Sequence, residues 1–140
     1  MNIDPHERDV LAGLADVLIP AGDGMPSASQ ADVAGEWLDA VLAARPDLTK
    51  GLRDVLSKAH DRDPFEVVAN LRANDADAFS VLAEVVPSAY FMNPDVRRAI
   101  GYAGQGPRPI DPRPDYMEDS LLESVIRRGP IYRPTPHSTR

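Results

Sequence analysis

Three groups of residues in this 140-residue chain are of the types that do chemistry. The first is a set of aspartates, Asp16, Asp23, Asp61 and Asp63, from which a carboxylate pair for acid–base work would be drawn. Their settings point elsewhere. Asp61 and Asp63 flank a helix start, where capping carboxylates belong. Asp23 lies between Gly22 and Gly24, where a turn is expected. No nucleophile or base stands beside any of them in a recognisable arrangement. The second group is His6, His60 and His137, which share no ligand spacing such as His-x-x-x-His and read as solvated side chains. The third is Gly101-Tyr102-Ala103-Gly104-Gln105-Gly106. A phosphate-cradling loop follows a strand and opens a helix. Here a helix signal precedes the glycines, prolines follow them, and no Lys-Ser or Lys-Thr comes next. The segment reads as a helix end with a turn, or as a docking surface. No catalytic, cofactor-binding or metal-ligating residue is assigned.

The elements around these residues are helical. Asp4-Pro5-His6-Glu7 combines an N-cap, a proline at the first helical position and a glutamate able to reach back. Val10, Leu11, Leu14, Val17 and Leu18 then share one face, and Pro20 with Gly22-Asp23-Gly24 ends the element. A second helix is expected from Ser27–Ser29 to Ala44, with Val33, Trp37, Leu38, Val41 and Leu42 in its stripe. Pro46-Asp47 breaks the pattern and is placed to cap a third helix carrying Leu48, Leu52, Val55, Leu56 and Ala59, which ends near His60. Asp63-Pro64-Phe65-Glu66 repeats the opening cap and starts a fourth helix to about Arg72. A fifth begins at Asn74 or Asp75, with Pro87 expected to kink or stop it, and Tyr90-Phe91-Met92 is placed either to close the core, the favoured reading, or to reach a partner. Asn93-Pro94-Asp95 opens a sixth, ended by Gly101. A last helix is expected over Met117–Arg128, stopped by Gly129, with a mobile tail from Pro130. No strand of alternating pattern is found. The fold class is all-α: a small irregular helical bundle with an extended Gly/Pro-rich C-terminal arm.

Charge divides the chain. Net charge is −7, which disfavours nucleic acid and anionic membrane surfaces as partners. Residues 1–92 hold 7 Lys/Arg against 16 Asp/Glu, whereas residues 93–140 hold 8 Arg against 6 Asp/Glu. Residues 1–92 are therefore read as the bundle. Residues 93–140 are read as a short helix, extended arm, last helix and tail on the same single domain. No cysteine is present, which removes thiolate catalysis, cysteine-held metal and covalent haem. No apolar run is long enough to span a membrane, and Met1–Asp9 lacks an export signal, so a cytoplasmic location is expected. Prolines already fixed in φ lose little entropy on docking, and Arg and Tyr are enriched at interface hot spots. Arg97, Arg98, Tyr102, Gln105, Arg108 and Tyr116 are accordingly the expected partner contacts.

Two stretches carry a resemblance. Leu11–Asp39, LAGLADVLIPAGDGMPSASQADVAGEWLD, resembles the first helix, Ile-Pro stop, turn and second helix of the gluconate 2-dehydrogenase subunit 3 family. Asn93–Pro109, NPDVRRAIGYAGQGPRP, resembles that family's later Arg, Gly-Tyr and Gly-Gln segment. The resemblance implies a small, cofactor-free subunit of a sugar or polyol dehydrogenase. The large partner would be an FAD-dependent flavoprotein of the glucose–methanol–choline type, joined in some complexes by a cytochrome c subunit. The small subunit would stabilise or help mature the large one and have no activity alone. The family commonly begins with a twin-arginine signal, which is absent here, so a cytosolic flavoprotein oxidising a sugar or glycoside is the expected partner. The other reading of the residues is a stand-alone helical adaptor or regulator that engages a different protein.

Overall fold

The computed structural model describes residues 3–106, 120 and 122–131. Seven helices and no sheet occur among them: α1 (Pro5–Leu18), α2 (Glu36–Ala44), α3 (Leu48–Ala59), α4 (Pro64–Asn74), α5 (Ala76–Met92), α6 (Pro94–Ala99) and α7 (Glu123–Arg128). The chain forms two compact units, Met1–Gly104 and Gln105–Arg140. The boundary thus follows Gly104, whereas the composition changes at Asn93. The reason is Val96, which is fully buried and makes α6 part of the first unit's core.

Local signals set most helix starts. In α1 the Asp4 carboxylate accepts from the Glu7 amide at 2.8 Å and Glu7 accepts from the Asp4 amide at 2.9 Å. This reciprocal cap satisfies two otherwise orphaned donors. Asp63 caps α4 by accepting from the Glu66 amide at 3.0 Å, and Asp75 caps α5 by accepting from the Ala78 amide at 3.1 Å. Asp47 precedes α3 but makes no cap bond. Its carboxylate is taken instead by the Arg45 guanidinium, at 2.7–3.2 Å.

The first unit is built around α5, which packs against α1, α2, α3, α4 and α6. Leu82, Val85, Val86 and Ala89 run along its buried side and meet Leu11 and Leu14 of α1, Leu38 of α2, and Leu52 and Leu56 of α3 in one core. Each fully buried Leu or Val contributes about 1.5–3 kcal/mol. A close approach explains the one glycine inside α3. A Cβ on Gly51 would stand 3.0 Å from a methyl of Val81 on α5, so even an alanine there would require Val81 to shift by a few tenths of an ångström.

The structure differs from expectation at three places. Helix α2 starts at Glu36, not at Ser27–Ser29. Residues 27–35 are turns, because Asp32 adopts a left-handed φ of 56° that no continuous right-handed helix contains. The apolar residues still go inside: Ala28, Ala31 and Val33 are buried, and Ser27 with them. Of the two outcomes expected at Pro87, a kink or a stop, the stop does not occur: α5 continues to Met92. The residues beyond the proline keep it helical, since Ala89 and Tyr90 are both core residues. The Tyr90 hydroxyl also donates to the Pro26 carbonyl at 2.7 Å. The last helix is shorter than expected: α7 begins at Glu123 after Ser120 at φ 57°. Residues 117–119 and 121 lie outside the described set, as do residues 132–140 of the expected tail.

The 19–35 connection is held on several sides. Asp16 of α1 accepts from the Ser29 amide at 2.7 Å and from the Ser29 hydroxyl at 2.6 Å. The Arg8 guanidinium donates to the carbonyls of Ala34 and Gly35 at 2.7 and 2.9 Å and to Asp39 at 2.6 Å. Partial burial alone would raise the Asp16 carboxyl, but the hydrogen bonds from Ser29 and Ser27 outweigh it and hold the group below its usual range. A lowered folded value means the carboxylate stabilises the fold above its ordinary value of 3.8, and that this is lost as pH falls through the lower folded value. Asp16→Asn should therefore cost roughly 1–2 kcal/mol at pH 7 by urea denaturation. The gap between variant and parent should close as pH falls below the ordinary carboxylate range.

Candidate functional site

Asn93 sets the position of the candidate surface. Its side-chain carbonyl accepts from the amides of Asp95 and Val96 at 2.8 and 3.4 Å, and so caps α6. Its side-chain NH2 donates to the Ala31 carbonyl at 3.0 Å. At the other end α6 is closed by a paired turn. The Gly101 amide donates to the Arg98 carbonyl at 3.0 Å and the Tyr102 amide to the Arg97 carbonyl at 2.8 Å. Gly101 sits at φ 73°, the left-handed residue such an ending requires. The chain is thereby folded back, so that residues from α6 and from the glycine segment line one cleft.

That open cleft has a volume of about 400 Å3 and is lined by Pro94, Arg97, Arg98, Gly101, Tyr102, Ala103 and Gly104. Three of the six expected contact residues, Arg97, Arg98 and Tyr102, therefore meet in one place. Gln105 is exposed and belongs to the second unit. Arg108 and Tyr116 lie outside the described residues. The two arginines differ. Arg98 is exposed and pairs with Asp95 at 2.7 Å. Arg97 is half-buried, and its guanidinium makes no ion pair or side-chain hydrogen bond among the described residues.

The sequence from Phe91 to Tyr102 also places large apolar side chains in solvent. Phe91 is 49 % exposed, Met92 37 %, Ile100 52 % and Tyr102 45 %. The Tyr90-Phe91-Met92 cluster is thus divided: Tyr90 closes the core, as expected for the cluster, while Phe91 and Met92 face outward. Burial pushes the Tyr90 phenol above its usual range, in keeping with its role as a donor to Pro26.

The other residues with chemical potential are accounted for differently. Asp16 and Asp63 hold backbone amides, as described. Asp61 takes a left-handed φ of 55° and accepts from His60 Nδ1 at 2.7 Å. Asp23 takes the left-handed turn position at φ 50°. The fold does bring two histidines together, which spacing in the sequence does not disclose. The rings of His6 and His60 lie 4.4 Å apart, tilted by 60°. No group of three or more His, Asp or Glu among the described residues is arranged to hold a metal ion. No helix among them is long and apolar enough to cross a membrane. No family model, curated protein or solved structure matches the chain.

The glycine segment yields a graded test. Gly101 and Gly104 have φ of 73° and 90°, whereas Gly106 is not in the left-handed region, and a Cβ would meet nothing within 4 Å at any of the three. Gly101→Ala and Gly104→Ala should each cost roughly 1–2 kcal/mol of local or global stability from backbone strain alone. Gly106→Ala should be close to neutral. Chemical denaturation with hydrogen exchange of the 98–104 amides reads both effects.

Proposed function

We propose that this chain is a non-catalytic small subunit that binds and stabilises, or helps mature, an FAD-dependent oxidoreductase acting on a sugar, glycoside or polyol. The observation that carries the reading is the surface between Phe91 and Tyr102. Within this stretch Phe91, Met92, Ile100 and Tyr102 are exposed, and Tyr102 lines an open cleft together with Arg97 and Arg98. Aromatic residues, Met and Arg are the types enriched where proteins meet. The identity of the partner rests on the resemblance of residues 11–39 and 93–109 to the gluconate 2-dehydrogenase subunit 3 family. In this reading the FAD and the chemistry belong to the large subunit. The small chain contributes buried area and a fixed surface, and a cytoplasmic flavoprotein is the proposed partner.

Co-expression with a glucose–methanol–choline type flavoprotein encoded beside this chain tests the proposal. The two should co-elute, and the flavoprotein should be more soluble and more fully loaded with FAD than when made alone. Tyr102→Ala or Ile100→Ala should weaken the association by roughly tenfold or more, the scale of an interface hot spot. A flavoprotein that is equally soluble and FAD-loaded without this chain, and does not co-elute with it, overturns the reading.

A further inference from the structure

The proposed contact surface has a specific chemical demand at its centre. Arg97 is half-buried in the cleft wall and has no ion pair or side-chain hydrogen bond among the described residues. Its neighbour in sequence, Arg98, is by contrast satisfied by Asp95. A guanidinium that has lost part of its hydration and gained no partner is a poor arrangement by itself. It becomes favourable when an anion arrives, because charge-assisted hydrogen bonds to a carboxylate or phosphate are about twice as strong as neutral ones.

The surroundings choose between those anions. Asp95 already neutralises Arg98, so the cleft offers one net positive charge. It also sits at the C-terminal turn of α6, where backbone carbonyls and the helix dipole disfavour added negative charge. A dianionic phosphate is therefore poorly matched, and a single carboxylate is well matched. The volume of about 400 Å3 suits one or two side chains and is too small for a helix. Tyr102 in the cleft lining, and Ile100 two residues before it in the chain, are both about half exposed and offer apolar surface. Gly101 and Gly104 leave the backbone open to close approach, with nothing within 4 Å of where a Cβ would stand.

We infer that the Arg97 cleft docks one aspartate or glutamate side chain of the partner polypeptide, with an adjoining apolar residue of that partner resting on Tyr102 and Ile100. This rests on the small-subunit reading and specifies what the large subunit presents. The carboxylate pairs with the Arg97 guanidinium, in the forked geometry that lysine does not reproduce. The cleft supplies orientation, and the exposed apolar side chains around it exclude water from the pair.

The test uses the full chain, isotopically labelled, and the blocked dipeptide acetyl-Glu-Phe-amide. Saturable shifts are expected at the Arg97 Nε–H and at the amides of Ala103 and Gly104. Affinity should be about tenfold weaker for acetyl-Gln-Phe-amide. Arg97→Gln should remove the difference between the two peptides, and Arg97→Lys should restore part of it, with thermal midpoints unchanged in both variants. Equal affinity for the two peptides, absence of saturable shifts, or tighter saturation of the same resonances by inorganic phosphate would each overturn the inference. The co-elution assay keeps this separate from the function proposal. A flavoprotein that co-elutes equally with the parent chain and with Arg97→Gln overturns carboxylate docking and leaves the subunit reading standing. Saturable, Arg97-dependent peptide binding without any co-elution does the reverse.

Discussion

One side chain ties the two halves of the first unit's surface together. The Asn93 amide group spends both its ends: the oxygen caps α6, and the nitrogen reaches the Ala31 carbonyl in the 27–35 turns. A residue with only one of these functions would leave either the helix start or the turn without its partner. The Tyr90 hydroxyl, three residues earlier, reaches Pro26 in the same connection. The end of α5 therefore anchors the long link between α1 and α2, and launches α6 from the same point. The direction of α6 decides where Arg97 stands and which way the glycine segment turns back.

That constraint accounts for the two places where local sequence rules give way. Residues 27–35 have the apolar spacing of a helix, yet Asp32 adopts a left-handed backbone and the helix waits until Glu36. The carbonyls of Ala31 and Ala34, and that of Pro26 just before the segment, are spent on side chains of Asn93, Arg8 and Tyr90 rather than on a helical ladder. Pro87 lacks an N–H and interrupts the ladder of α5, but burial of Ala89 and Tyr90 holds the following turn helical. In both cases tertiary contacts worth several hydrogen bonds and buried side chains override a preference worth about 3 kcal/mol at most.

The all-α class and the starts of α1, α4 and α6 were legible because each is written as an Asp or Asn followed by Pro, a signal that needs no partner from elsewhere. The absence of a cap at Asp47 was not legible. It depends on Arg45 taking the carboxylate, a competition between neighbours with similar geometric claims. The contact of His6 with His60 was hidden for a different reason, since it requires the docking of the α1 start against the α3 end. The cleft was half legible. Gly101 announced the helix ending, whereas the Asp95–Arg98 pair was found in the structure. Arg97, by contrast, has Asn93 and Pro94 four and three residues before it and Ile100 and Gly101 three and four after, so no acid stands at the helical spacings that bring side chains together. Its partial burial comes from the fold-back at Gly101 and needed the structure.

Asn93 couples the 27–35 turns to the surface that carries Arg97. Hydrogen–deuterium exchange on Asn93→Ala tests that coupling directly. Loss of the cap should cost about 1 kcal/mol and leave the chain folded. The amides of Ala31 and Val33, and those of Arg97, Ile100 and Tyr102, should all lose protection together, while those of α3 keep theirs. If the α6 amides exchange faster and the 27–35 amides are unchanged, Asn93 is a helix cap alone and the coupling is absent.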